Sequence, residues 1–435
     1  MMRREEETAV EELGDGLRLV YRHSRDARAG ILGVAVRAGS ANDGPGREGL
    51  AHFVEHTIFK GTARRSSWHI INRMEAVGGE LNAYTTKEET VVYTVFPSGE
   101  ASRGAELVAD LIVNSRFPEK ELAKEREVVA DEIDSYLDTP SEAVFDIFED
   151  RLFAGSPLGH NILGTRASLE GFTPEVCRGY LAANYVRRNL VVFYTGARPL
   201  AEIRRIASRY FGTVPDGPVP PREATDILPE APRFEETENI ASHQAHTVIG
   251  ARMPGLYEEG RHAVALLANI LGGPGMNSLL NVELRERRGL VYSVDASTAM
   301  FSGAGALCVY YGCDPEDNAL CRRLCLDTIR RVADGALTPR RLEAAKKQYL
   351  GQLLIAGENS ENRILSAARA VLFRGKAAKA SETTEAIRSV TGETLASLAK
   401  KFLDEASVIT LGNHSSTSIV QYSSDGRVTL SERPC

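Results

Sequence analysis

The sequence has no apolar run approaching the about 18 residues of a membrane-crossing helix. Its mean hydropathy is -0.21, so a membrane protein is not expected. Positive charge is also short: 52 Lys and Arg stand against 59 Asp and Glu, a net charge of -7. A chain without a basic footprint is not expected to bind nucleic acid. The start, MMRREEETAVEELGDG, follows a basic pair with three glutamates and has no apolar leader, which points to a soluble, cytoplasmic protein.

Cysteine is sparse and no CxxC occurs, which argues against a disulfide framework. Of Cys177, Cys308, Cys313, Cys321, Cys325 and Cys435, Cys308 lies in an apolar strand-like run. Cys321 and Cys325 are one helical turn apart, so buried structural thiols are expected rather than a second metal site.

Apolar material is ample. With 435 residues, 43% of them hydrophobic, the chain is too long for one ordinary core, and two comparable halves are the simplest division. The first half opens with strands on either side of Gly14-Asp15-Gly16. It continues with helices around AHFVEHTIF and WHIINRMEAV and a hairpin of ELNAYTT and TVVYTVFP joined at Lys87-Glu88-Glu89. Amphipathic helices follow through ASRGAELVADLIVNS, KELAKEREVVADEIDSYL and EAVFDIFEDRLF.

The second half repeats this order, with strand HTVIGARM, helices HAVALLANIL and NSLLNVELRER, strands LVYSVDAST and GALCVYYG, then two long helices. The pattern predicts an α+β protein of two homologous domains, each a mainly antiparallel sheet packed with helices. The expected domains are 1–212 and 234–435, joined by a proline-rich linker at 213–233.

The sharpest local feature is His52-Phe53-Val54-Glu55-His56. At about 3.6 residues per turn, both imidazoles and the carboxylate project from one helical face. Two neutral imidazoles suit zinc, whose catalytic sites take three protein ligands and leave a fourth position open. The bland alternative makes both histidines surface residues. A third ligand is available in the run Glu125 to Asp134, where Glu125 and Glu132 share a face and Val128, Val129 and Ile133 suggest burial nearby. Spacing alone does not choose among Glu125, Asp131, Glu132 and Asp134, and the bland alternative there is a solvated charged face.

HFVEH between GREGLA and TIFKGT, with ERxVVxxE beginning sixty-nine residues after His56, resembles the inverzincin peptidases. These include pitrilysin, insulin-degrading enzyme and the mitochondrial processing peptidase. The resemblance implies one zinc per chain held by His52, His56 and Glu132, with Glu55 as general base and Glu125 in the supporting shell. The stretch Gly78 to Tyr93 is similar to the family's substrate edge strand, which assigns Asn82, Ala83, Tyr84 and Thr85 to peptide binding.

SPLGHNILGT resembles a further family segment, with Ser156 where a His is usual. The Gly-rich segment from Leu271 leads to a pair similar to the family's Arg and Tyr, here Arg285 and Tyr292, which contact the substrate carbonyl. By residue type alone, Arg285 would be a helix-terminal salt bridge and Tyr292 a half-buried strand aromatic. LEAAKKQYLGQLLIAGEN is typical of short bacterial members, so the likeness spans nearly the whole chain.

The implied function is a zinc endopeptidase acting on peptides or unfolded segments inside an enclosed chamber. Because a chain of this length supplies one half of that chamber, a homodimer is expected. The alternatives are a heterodimer with a related metal-free subunit and a non-catalytic scaffold.

Overall fold

The computed structural model describes residues 8–219, 228, 233–412, 419–422 and 428–431. Along the first half run β1 (Ala9–Gly14), β2 (Leu17–His23), β3 (Ala29–Val36), α1 (Leu50–Thr57), α2 (Ser67–Glu75), β4 (Glu80–Thr85), β5 (Thr90–Pro97) and α3 (Ala101–Asn114). Then come α4 (Glu119–Leu137), α5 (Pro140–Leu152), α6 (Arg166–Leu169), α7 (Pro174–Asn184), β6 (Leu190–Gly196) and α8 (Leu200–Phe211). The second half holds β7 (Glu235–Asn239), β8 (Ala245–Met253), α9 (Arg261–Gly272), β9 (Val291–Met300), β10 (Gly305–Cys313), α10 (Asn318–Ala333) and α11 (Pro339–Ala356). It ends with α12 (Ser360–Arg374), α13 (Ala380–Ser389), α14 (Gly392–Glu405), β11 (Ser407–Gly412) and a small ribbon of β12 (Ile419–Tyr422) and β13 (Val428–Ser431).

The two halves build the same sheet. The first has strand order β1-β2-β6-β3-β5-β4 and the second β7-β11-β8-β10-β9. Without β1 the two orders coincide. The one parallel pair, β2 with β6 and β7 with β11, falls at the same place in each, and the other pairs are antiparallel. This confirms the expected α+β duplication. Strands β3, β6 and β10 are buried along almost their whole length because helices cover both sheet faces, which is why they read as continuous apolar runs without alternation.

Two compact units result, and each takes a segment from the other half of the sequence. One comprises Met1–Asp134, His160–Glu223 and Ile355–Lys379; the other comprises Ser135–Gly159, Ala224–Leu354 and Ala380–Cys435. Helix α5 buries Val144, Phe148 and Leu152 and packs on β8 and β11, while α12 buries Ile364, Ala368, Val371 and Phe373 and packs on β6, β2 and β3. Of the expected linker, residues 220–227 and 229–232 lie outside the described residues.

One local expectation changes. The helix predicted over NSLLNVELRER is a π-helical turn, Asn281–Glu286, in which buried Glu283 receives Arg287 at 3.1 Å and Arg288 at 2.7 Å. The five described cysteines are free and buried, as expected; Cys435 lies outside the described residues.

Candidate metal centre

Helix α1 buries Leu50, Ala51, His52, Phe53, Val54 and Thr57, so it is enclosed on nearly every side and its polar residues are fixed by their surroundings. Phe53 packs tilted against Phe172, ring centroids 5.3 Å apart, and a fully buried phenyl of this kind is worth about 3–5 kcal/mol. The helix has no local side-chain cap: residue Gly49, at φ 94, precedes it without one. Its first amides are taken instead by Asp43, whose Oδ2 accepts Gly49 N and whose Oδ1 accepts Ala51 N, both at 2.7 Å.

Asp43 is only 3% exposed. Burial pushes its carboxyl up, against the pull of His160 and of the two amides. His160 Nε2 lies 3.4 Å from Asp43 Oδ2 and 3.0 Å from the Ser40 carbonyl oxygen, and Lys87 donates to the His160 carbonyl. The loop carrying His160 lies directly against the helix start. A Cβ on Gly164 would come within 2.0 Å of the Glu48 carbonyl oxygen, and one on Gly49 within 2.5 Å of the Leu163 oxygen. That contact is the structural work of SPLGHNILGT, in which Ser156 shapes a turn through the Phe153 carbonyl at 2.8 Å.

Three of the expected ligands converge. His52 Nε2 lies 3.8 Å from Glu132 Oε1 and His56 Nε2 lies 3.5 Å from Glu132 Oε2, and the ligand atoms of the three residues all fall within 4.8 Å of one another. Zinc at about 2.1 Å from each of two tetrahedral ligands places them about 3.4 Å apart, so these separations fit such an ion. This is the one such group among the described residues. The surface alternative does not hold for the histidines, because His52 is buried and His56 is half-buried. On α4 Glu125 is 6% exposed, but Glu132 is half-exposed, and Val128, expected to be near burial, stands in solvent with Asp131 and Asp134 because that side of the helix faces away from the core.

The protonation chemistry suits a cation. Burial pushes His52 down to about 3, helped by the neighbouring His56, so its imidazole is neutral as a ligand must be. Its Nδ1 is buried without a partner among the described residues. His56 is disfavoured as a cation by burial, but its hydrogen bond to Glu125 and the charges of Glu132, Glu55 and Glu125 raise it above the usual range. Glu125 Oε1 holds His56 Nδ1 at 3.1 Å, which turns Nε2 toward Glu132, and Lys60 Nζ holds the other Glu125 oxygen at 2.6 Å.

Burial disfavours the Glu125 anion, yet His56 and Lys60 outweigh it and the carboxyl sits below its ordinary range. Glu55 goes the other way. Burial raises it, Thr85 and His56 pull it back, and Glu132 raises it further. Three carboxylates and two imidazoles around one point, offset by Lys60, form a site in want of a positive ion. Asp131 and Asp134, left open as ligands by spacing, are outside this group, and Asp134 pairs with Arg166.

β4 carries Asn82, Ala83, Tyr84 and Thr85 at the edge of its sheet, paired on one side with β5 and packed near α1. Thr85 and Ala83 lie on the face toward Glu55 and the core, and Asn82 and Tyr84 lie on the other, opposite Tyr93 and Val91. In the second unit, Tyr292 on β9 is 82% exposed. Arg285, in the π-helical turn, is exposed and makes no ion pair among the described residues. Neither is the salt bridge or half-buried aromatic that residue type alone suggests.

Sequence reasoning missed Asp43, Lys60 and His160. Asp43 lies seven residues before the helix, too far for any capping signature, and Lys60 acts across to another helix. No helix among the described residues is long and apolar enough to cross a membrane.

The profile of the insulinase family (peptidase family M16) matches residues 18–166, and that of the peptidase M16 inactive domain matches residues 171–349. An uncharacterized zinc protease of Mycobacterium tuberculosis is 34% identical over 93% of each chain. One of Bacillus subtilis is 28% identical over 90% of this chain and 94% of its own. Among solved structures, a protease from Helicobacter pylori matches with a TM-score of 0.86 at 17% identity, over 93% of this chain and 99% of that one. A peptidase M16 inactive domain from Pseudomonas fluorescens matches with a TM-score of 0.85 at 20% identity, over 94% and 98%. Motif, duplicated sheet, ligand geometry and these likenesses agree that the chain belongs to the insulinase family of peptidases, as one of its short bacterial type.

Proposed function

We propose that the protein is a zinc-dependent endopeptidase that hydrolyses extended peptides or unfolded segments. The observation that carries this reading is the convergence of His52, His56 and Glu132, with Glu55 on the same helix and the edge strand β4 beside it. His52, His56 and Glu132 would hold the ion, and Glu125 would fix the ring of His56 so that Nε2 faces it. Zinc bound there supplies Lewis acidity, which polarises a carbonyl and acidifies water.

Glu55 accepts the proton of the attacking water and returns it to the leaving amine nitrogen. A carboxyl raised by burial is matched to both halves of that exchange. The unpaired edge of β4 offers backbone groups to a peptide in extended form, a grip with little side-chain preference. Arg285 and Tyr292, exposed and with donors to spare, are the groups for the carbonyl oxygen as its charge develops; one such donor is worth about 3 kcal/mol.

A second copy of the chain would complete an enclosed chamber, giving a homodimer. A heterodimer with a metal-free relative would serve the same purpose. Five buried free thiols suit a reducing compartment, the cytoplasm.

The test is elemental analysis together with cleavage of a quenched fluorescent peptide by the native chain and by Glu55→Gln. About one zinc per chain in both, with cleavage lost in the variant, is expected. Zinc-free native protein, or zinc-loaded native protein that cuts nothing, would turn the assignment toward a scaffold or a subunit that needs a partner. A chain of complex III2 from Candida albicans shares the fold, with a TM-score of 0.80.

A further inference from the structure

The β4–β5 hairpin is not held by its own sheet alone. Opposite the core, Asn82 and Tyr84 on β4 stand across from Tyr93 and Val91 on β5, and this side of the hairpin meets α12, the helix that reaches this unit from the second half of the chain. The Tyr93 hydroxyl donates to Glu361 Oε1 of α12 at 2.5 Å. About two turns further along the helix, Arg369 Nε lies 3.5 Å from Glu89 Oε1, in the loop that joins β4 to β5. Glu89 is 2% exposed, so a charge that a hairpin turn would ordinarily leave in water is buried here against a cation of α12. Burial raises both Tyr84 and Tyr93; Glu89 adds to it at Tyr84 and Glu361 at both.

The helix is anchored by independent contacts. Arg18 Nη1 donates to the Val371 carbonyl at 2.9 Å, and Arg37 lies 4.9 Å over the Phe373 ring. Within the sheet β4 is bonded on one side only, by β5, and its core face packs on α1 and α2, while its outer face has α12 as the element behind it; edge strands with less behind them fray.

We infer that Glu361 and Arg369 of α12 are positioning residues for the peptide-binding edge: they fix Tyr93 and Glu89, and through them the register and stiffness of β4. The inference rests on the proposed role of β4 for its effect on peptides, but the effect on the strand stands without it. A strand held rigid before peptide arrives spends none of the binding energy on its own ordering. Its loss weakens ground state and transition state alike and raises KM with kcat held.

The experiment uses the full-length chain, with Glu361→Ala, Glu361→Gln and Tyr93→Phe. Hydrogen exchange is measured first, without metal or peptide. In Glu361→Ala the amides of residues 80–95 are expected to exchange about tenfold faster while those of 50–57 keep the native rate. Glu361→Gln, which retains an acceptor for Tyr93, should restore most of the protection. Tyr93→Phe should reproduce the effect of Glu361→Ala and add nothing to it in the double variant. Since Tyr93→Phe removes a single oxygen, it carries the comparison if Glu361→Ala does not fold.

With zinc and a quenched fluorescent peptide, KM should rise about tenfold and kcat stay within twofold. Unchanged exchange at 80–95, or a fall in kcat at constant KM, overturns the inference. Altered exchange in a protein whose native form cuts no peptide leaves the positioning of β4 standing and defeats the peptidase reading instead.

Discussion

Asp43→Asn should loosen the start of α1, the helix of His52 and His56, more than any exposed substitution in its neighbourhood. The carboxylate now accepts two backbone N–H groups at 2.7 Å each, at a helix start with no cap of its own. Hydrogen bonds to a charged acceptor are worth about 1.5–3 kcal/mol each. An asparagine keeps one acceptor and sets an NH2 against the other amide, and it removes the negative charge from the positive end of the helix, worth up to about 1 kcal/mol. The site is buried, so water cannot take over the orphaned amide.

The expected loss is about 2–4 kcal/mol. Two compact units need not unfold together, so one global midpoint is the wrong readout. Denaturant-dependent hydrogen exchange of the amides of 50–57 reports the unit concerned. Zinc affinity should fall in parallel, because His52 and His56 ride on that helix. Protection within about 0.5 kcal/mol of native would refute the reasoning, and would mean that the Gly49–Gly164 contact holds the helix start unaided.

Glu125→Gln should lower zinc affinity about ten- to a hundredfold, the usual effect of losing a group that orients a ligand. Glu132→Gln should lower it further, and titration against a competing chelator measures both. In the zinc-free protein His52 lies at about 3, below its ordinary 6.5, so below pH 6.5 the unfolded chain binds a proton that the folded one refuses. Stability should therefore fall by up to about 1.4 kcal/mol per pH unit as pH drops from about 6.5 to about 5, a window above most carboxylates. His56 is raised, so its contribution is present below 6.5 and is lost as pH rises above it. Denaturant-dependent hydrogen exchange of the amides of 50–57 in native and His52→Gln, corrected for intrinsic exchange across that window, tests this: the native slope should be steeper, and equal slopes would show that His52 is not held neutral.

Much of this protein is written locally. The i, i+3, i+4 spacing of His52, Glu55 and His56 is a property of any helix, and two strand-forming runs about a short polar turn, Glu80–Thr85 and Thr90–Pro97, are the mark of a hairpin, so both could be read before folding. The duplicated order of elements was equally legible, because each copy must bury its own apolar faces. The choice of Glu132 over Glu125 was not, since both lie on one face of α4; it needed the resemblance, and in the structure Glu132 lies beside both Nε2 atoms and Glu125 behind one ring.

Tertiary structure alone decided the rest. Asp43 caps a helix from seven residues away, and Lys60 reaches Glu125 from another element. Tyr292 stands in solvent where its residue type suggests burial, and α5 and α12 each cover the sheet of the other half. Sequence periodicity states which side of a helix is apolar; it carries no record of which sheet that side will meet, because apolar burial is non-directional and any complementary face satisfies it.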